Sequence, residues 1–489
     1  MSLVWIFLCP AARAQFASVP NDGFLTPGGS DDRGAVAEGA RSFSLEEGGW
    51  NSLQGLLASQ VGWAGTGLRA IAPGLLFEGV AYPLDDGRIL GWAPAWGRVE
   101  LLDFPAQAWW GPSAAAGAVQ WRAPAFTDDP RAGFTAGGGT GGFGEVEGDY
   151  STTGLGLSAG YRRAPGSPFT AGPLDAGGLQ ASARIPGTGD WGLGGSFLAV
   201  GDGAGDDWIV GLGDLRWTDG NFQRLRLRPY AQSARSDGGE VREAGADLDY
   251  DLDLAGIAEA NLAGGVSRRE GPGARTAGFL QDSELLDALG DLTLDGAFRL
   301  DWTGDGSALF STVLGAQMAV GDMLLRADEA TAQDPADPGR PVEQAELGLR
   351  PRGDDKSFDL AYRHLSTSQA VLNGVALGAG RDLDFLEGPV LGQASVGVQL
   401  QYLVDTAGTG RADFGAWADG FWFGALRTRV LARRTGDGPL FGSARVSCRL
   451  DPRSEVFLEG QNLGGLPQAW PEPDWRPGLD ILGGVHLDL

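Results

Sequence analysis

The sequence predicts an all-β fold: a transmembrane antiparallel up-and-down β-barrel of about 22 strands, with a small N-terminal mixed α/β domain in its lumen. Three observations predict it. Charged and apolar residues alternate with a period of two over most of the chain, Asp-Gly turn signals break the alternation at short intervals, and the first residues read as a secretion signal.

The alternation is plainest in "ADLDYDLDLA", where Asp247, Asp249, Asp251 and Asp253 share one face and Leu248, Tyr250 and Leu252 share the other. In "LTLDGAFRLDW", Leu292, Leu294, Phe298, Leu300 and Trp302 oppose Thr293, Asp295, Arg299 and Asp301. "ASVGVQLQY" (394–402) and "LFGSARVSCRL" (440–450) repeat the pattern. A period of two puts successive side chains on opposite faces of a ribbon, so these are strands. Turn signals at Asp219-Gly220, Asp237-Gly238, Asp305-Gly306, Asp419-Gly420 and Asp437-Gly438 predict an uninterrupted antiparallel meander.

A soluble sandwich would alternate too, so the solvent is decided by other features. The meander has no helical layer or long crossover, and strands of about ten residues match a tilted crossing of a thin apolar slab. The apolar face is therefore expected to meet lipid, and the aspartate face a polar lumen. At roughly 16 residues per strand and its share of turns, the residues after position 130 make about 22 strands. A barrel that wide leaks unless it is filled, and the filler is expected in the residues before it.

Composition excludes several classes. With a formal charge of −26, the chain would repel phosphate, which excludes a nucleic-acid partner. "MSLVWIFLCPAARAQ" joins an apolar stretch to Ala12-Arg13-Ala14, and its removal leaves Cys448 alone, without a disulfide or thiolate partner. The ladder Asp247, Asp249, Asp251, Asp253 offers hard oxygen ligands, but same-face residues are about 6.6–7 Å apart, too far for one ion to collect four. "GLSAG" (156–160) matches a hydrolase elbow around Ser158, yet it sits in an alternating strand with only His364 and His486 as bases. "GGGTGG" (137–142) satisfies a dinucleotide fingerprint by composition alone. No catalytic residue, metal site or cofactor is expected, and the protein is read as not an enzyme. Trp302, Tyr250, Tyr402 and Trp422 are expected in the lipid-headgroup girdles.

Residues 16–128 are Pro/Gly-rich and mixed, with a helical pattern in "SLQGLLASQVGW" and short strands in "GLLFEGVAY" and "GRVELLDF". "GLLFEGVAYP" resembles the "vLvDGvp" strand of the plug of TonB-dependent receptors, which places Glu78 and Gly79 on its Asp-Gly. "GRVELLDFPAQAWWGPSAAAGAVQW" (97–121) is similar to that family's "erIEVlrGPasalyGsgaiGGvIni". Arg98 and Glu100 fall on its Arg-Ile-Glu core, Pro105 on the following proline, Gly111 on the turn glycine and Gly117 on a later glycine. "EVFLEGQNLGG" and "DWRPGLDILGGVHLDL" resemble the closing strands, with Pro477 and Gly478 on the "pGR" element and Val485, Leu487 and Leu489 in the last strand.

The resemblance implies a signal peptide at 1–14, a periplasmic segment at 15–40, a plug at 41–128 and a barrel at 129–489, in the cell outer membrane in contact with its lipid. It further implies inward movement of a small solute and a TonB-type energy-coupling protein as partner, with Arg98 and Glu100 bonding the plug to the wall. Departures bear on this. Asp103-Phe104 stands in place of Arg-Gly, Leu489 ends the chain in place of an aromatic residue, and residues 16–40 contain no evident hydrophobic-Thr-Val coupling box. The rival expectation is a non-transporting plugged barrel that anchors or scaffolds envelope partner proteins. A passive pore is a third, and it would require the first 128 residues not to fill the lumen.

Overall fold

The computed structural model describes residues 40–44, 74–84, 98–102, 111 and 118–488, the last with breaks in the connections between strands, the longest at 464–479. Two sheets account for the strands. The smaller is formed by β1 (Ala40–Ser44), β2 (Gly74–Phe77), β3 (Val80–Ala81), β4 (Arg98–Leu102) and β5 (Ala118–Arg122), in the order β1-β4-β5-β2-β3. The β2–β5 pairing is parallel and the others antiparallel, so this unit is mixed. Leu76, Phe77, Val99, Val119 and Trp121 are fully buried and form its core.

The larger sheet is a closed barrel of 22 strands, from β6 (Arg131–Gly139) to β27 (Asp480–Asp488), each paired with the next in the chain. β27 closes on β6 with Leu482 opposite Gly139 and Asp488 opposite Gly133. Every pairing is antiparallel, so an even strand number brings both ends of the barrel to one rim. Closure leaves no sheet edge, which is the condition for strands to lie in hydrocarbon, where an unpaired N–H or C=O would find no water. Among the described residues no helix is long and apolar enough to cross a membrane.

The two faces segregate as the period of two requires. Val396, Val398, Leu400 and Tyr402 are exposed on the outer face while Gln401 is buried, and Leu294, Phe298 and Leu300 point outward while Arg299 is buried. "GLSAG" lies inside β8 (Leu155–Ala164), with Ser158 buried against the lumen side, and "GGGTGG" ends β6 and forms the turn after it. Gly139 is needed there because a Cβ would run into the Ile481 carbonyl of β27.

One turn expectation is overturned. Asp419-Gly420 lies within β23 (Gly410–Trp422), and the reversal comes at Phe423 and Gly424, with φ of 52° and 68°. The alternation runs through Asp419, whose carboxylate is bonded across the hairpin by Arg427 and Arg429 and is therefore a wall group, not a turn former. The helix expected in "SLQGLLASQVGW" lies outside the described residues.

Candidate functional site

The part of the small sheet that meets the barrel is the β2–β3 hairpin. Glu78 and Gly79 are its two-residue turn, with φ of 49° and 85°, the pair of positive values that lets a hairpin follow the strand twist. Glu78 is held in this conformation, unusual for a residue with a Cβ, by three bonds. Its N–H donates to the Trp121 carbonyl (3.1 Å), its Oε1 accepts from the Ala123 N–H (2.6 Å), and Arg122 stands 3.9 Å from its Oε2.

The facing wall is β11 (Asp207–Thr218), β12 (Gln223–Ser236) and β13 (Gly239–Asp253). The register sets Arg224 opposite Asp251, Arg226 opposite Asp249 and Arg228 opposite Asp247, all on the lumen face. Arg224 bonds Asp251 at 2.7 Å, Arg228 stands 3.3 Å from Asp247 and 3.5 Å from Asp249, and Arg226 donates twice to Asp214 at 2.8 and 2.7 Å. Arg216 also reaches Asp214, at 3.1 Å. Four guanidiniums thus meet four carboxylates in a buried lattice. The acidic ladder does not act as bare negative charge, because "RLRLR" is in register with it.

The hairpin docks on this lattice. Arg228 Nη1 donates to the Glu78 carbonyl (3.3 Å), Gln232 Nε2 donates to the Ala81 carbonyl (3.0 Å), and Tyr82 meets Trp208 edge-on at 5.2 Å between centroids. Trp208 Nε1 in turn fixes Gln232 by donating to its Oε1 (2.9 Å). Two more contacts lie elsewhere on the wall. Gly111, at φ +87°, sits so close to Arg299 that a Cβ would lie 3.0 Å from its Nη2. Arg299 itself is bonded to Asp301 and stacked 3.8 Å over Phe279. Where the chain passes from sheet to barrel, Ser182 donates to the Pro124 carbonyl at 2.6 Å, and Arg184 covers the Phe126 ring at 4.7 Å.

The structure therefore brings Glu78, Gly79, Gly111, Asp247, Asp249 and Asp251 to the junction of sheet and wall. Asp253 ends β13 beyond the hairpin. Arg98 and Glu100 lie in β4, opposite Arg122 and Gln120, away from the hairpin turn in the strand order. Val485 and Leu487 lie in β27, with Val485 exposed outward. Pro105, Gly117, Pro477, Gly478 and Leu489 lie outside the described residues. The sequence reading missed Arg299, Gln232, Trp208 and Ser182 as wall partners. Their only signal is parity, which puts all four on the lumen face. His364 bonds Asn373 on the outer face and His486 bonds Thr135 on the inner face, so the two histidines are not a pair. Among the described residues no group of His, Cys, Asp and Glu is arranged to hold a metal ion.

A closed, apolar-walled 22-strand barrel with a small mixed sheet bonded to its inner wall is a plugged outer-membrane barrel. No protein-family model matches the sequence, and no curated protein matches it. Solved structures with the same fold include the siderophore receptor PirA from Pseudomonas aeruginosa, with 14% identity, 92% of this chain and 99% of that chain covered, and a TM-score of 0.69. The ferric enterobactin receptor PfeA from the same organism is 11% identical, with 94% and 99% covered and a TM-score of 0.71. The ferric-catecholate import receptor Fiu from E. coli, in its open form, is 12% identical, with 92% and 96% covered and a TM-score of 0.67. The chain has the fold of TonB-dependent outer-membrane receptors.

Proposed function

We propose that the protein imports a small solute across the outer membrane, by displacing plug segments from their wall contacts and opening a path along the polar lumen. The observation that carries this reading is the character of the junction. Arg228, Gln232 and Ser182 bond the filler through its main-chain carbonyls, single bonds of about 1 kcal/mol for the neutral donors and about 2 kcal/mol for the guanidinium, which water can replace. A filler held in this way can be moved without unfolding the barrel. The solved structures of this fold named above are receptors, one of them an import receptor. No covalent chemistry is needed. Energy would come from a TonB-type protein acting on residues 15–40, all of which but Ala40 lie outside the described residues. The anchor or scaffold alternative has no observation among the described residues in its favour.

The test is a lock. In a background free of other cysteines, Ala81→Cys with Gln232→Cys spans the hairpin contact. Solute uptake across iron, vitamin and sugar sources should fall to the level of cells lacking the gene when the pair is oxidised, and return on reduction. Equal uptake in both states, or no difference between cells with and without the gene, would sink the import reading.

A further inference from the structure

The exposed large apolar side chains of the described barrel strands all lie on the outer face except one, Trp417, which is 38% exposed. It sits in β23 with Asp413 and Asp419, on the lumen face. Across the register it meets Gly397 of β22 (Leu391–Asp405), which pairs with Gly380 of β21 (Val371–Asp382). A Cβ on Gly397 would collide with the indole, and one on Gly380 would come 3.6 Å from its Cζ2. The ring therefore lies flat across two glycines, one face on the wall and the other towards the lumen. Its Nε1–H has no acceptor among the described residues.

Polar groups continue along the same strand. Gln399 lies between Gly378 and Gly415, neither of which has a side chain, and Gln401 lies opposite Asp413. Gln401 is 4% exposed, and its Oε1 has no hydrogen-bond partner. A buried amide oxygen without a donor forgoes a bond that a ligand hydroxyl would supply. Beside the platform, Asp419 accepts from Arg427 at 3.1 Å and from Arg429 at 2.7 Å, so its carboxylate is matched on the wall itself.

A flat apolar ring face flanked by uncharged amides suits a ligand with a C–H face and a rim of hydroxyls. We propose that this wall binds a neutral disaccharide, one pyranose ring stacked on Trp417 beside Gln399 and the hydroxyls of the next ring bonded by Gln401, about 13 Å along the strand. This names the solute class for the import reading and rests on it.

The test is calorimetric titration of the full chain in detergent with maltose, cellobiose, xylobiose and chitobiose, and with catechol as the planar aromatic control. At least one disaccharide should bind. Trp417→Ala should weaken it roughly tenfold or more, Trp417→Phe less, and outward-facing Trp302→Phe not at all. Gly397→Val should weaken binding with Trp417 still present, since it lifts the ring off the wall. Migration of the unheated barrel on gels checks folding of each variant. Failure of all four sugars to bind, unchanged affinity in Trp417→Ala, or tighter binding of catechol than of any sugar would overturn the proposal. Binding without uptake would instead sink the import reading while leaving the site intact.

Discussion

Arg228 answers to three groups at once: Asp247 and Asp249 on its own wall and the Glu78 carbonyl of the hairpin. Removing it strips one wall bond from the hairpin and leaves two buried carboxylates without a guanidinium they now face. Arg228→Ala should therefore loosen the plug by about 2 kcal/mol, within the range of a hydrogen bond to a charged group. In planar bilayers under rising urea, its conductance bursts should begin at lower urea than in the parent. Arg228→Lys, which lacks the fork, should fall between the two. Asp305 poses a simpler case, in the exposed turn after β16 (Leu292–Thr303). The Thr303 hydroxyl and the Ser307 N–H hold its carboxyl down to about 2. The folded value lies below the unfolded one, so the contribution is present above about pH 4 and is lost as pH falls towards 2. The Ser307 amide resonance should titrate with a midpoint near 2, and Asp305→Asn should abolish that titration. No titration in the parent would refute the hydrogen-bond assignment.

At the scale of elements, the meander was legible because lipid and lumen impose opposite demands on alternate residues. "LTLDGAFRLDW" and "ASVGVQLQY" read off the page as strands with the faces they have, and the near-constant length of strand plus turn made the strand number countable. What failed did so for local physical reasons. Asp419-Gly420 looks like a turn, but Asp419 serves Arg427 and Arg429, while Phe423 and Gly424 take the positive φ values and Ala425 N–H closes the turn on the Trp422 carbonyl at 3.0 Å. Gly424→Ala should cost about 1 kcal/mol, since an L residue at this φ meets its own carbonyl, and Phe423→Asn should be neutral or stabilising. Gly420→Ala, which the sequence alone would rank as the damaging change, should spare the turn and only press the Trp422 indole. Urea midpoints of the unheated barrel on gels would order the three. The plug–wall partners were not legible, since Arg228 and Glu78 are 150 residues apart and nothing short-range couples them. Trp417 was legible in principle: "DFGAWADG" puts it in phase with two aspartates.

For the whole molecule, a formal charge of −26 invites the idea of a lumen that draws in cations. The lattice on β11–β13 argues otherwise for that sector, because Asp214, Asp247, Asp249 and Asp251 are matched by Arg216, Arg224, Arg226 and Arg228 within bonding distance. An ion passing within the Debye length, about 10 Å at 0.1 M salt, would feel near-neutral wall there. Changing Arg224, Arg226 and Arg228 to Gln keeps hydrogen-bonding capacity and most of the side-chain volume, yet leaves three carboxylates without a counter-charge. With residues 41–128 deleted to open the lumen, this triple variant should conduct, and its reversal potential in a KCl gradient should shift towards potassium relative to the same deletion with the arginines intact. Both should resist detergent unheated, since the barrel's backbone pairing does not involve the deleted sheet. If the two reversal potentials coincide, the arginines do not govern the wall potential, and selectivity must be sought in the other sectors of the lumen.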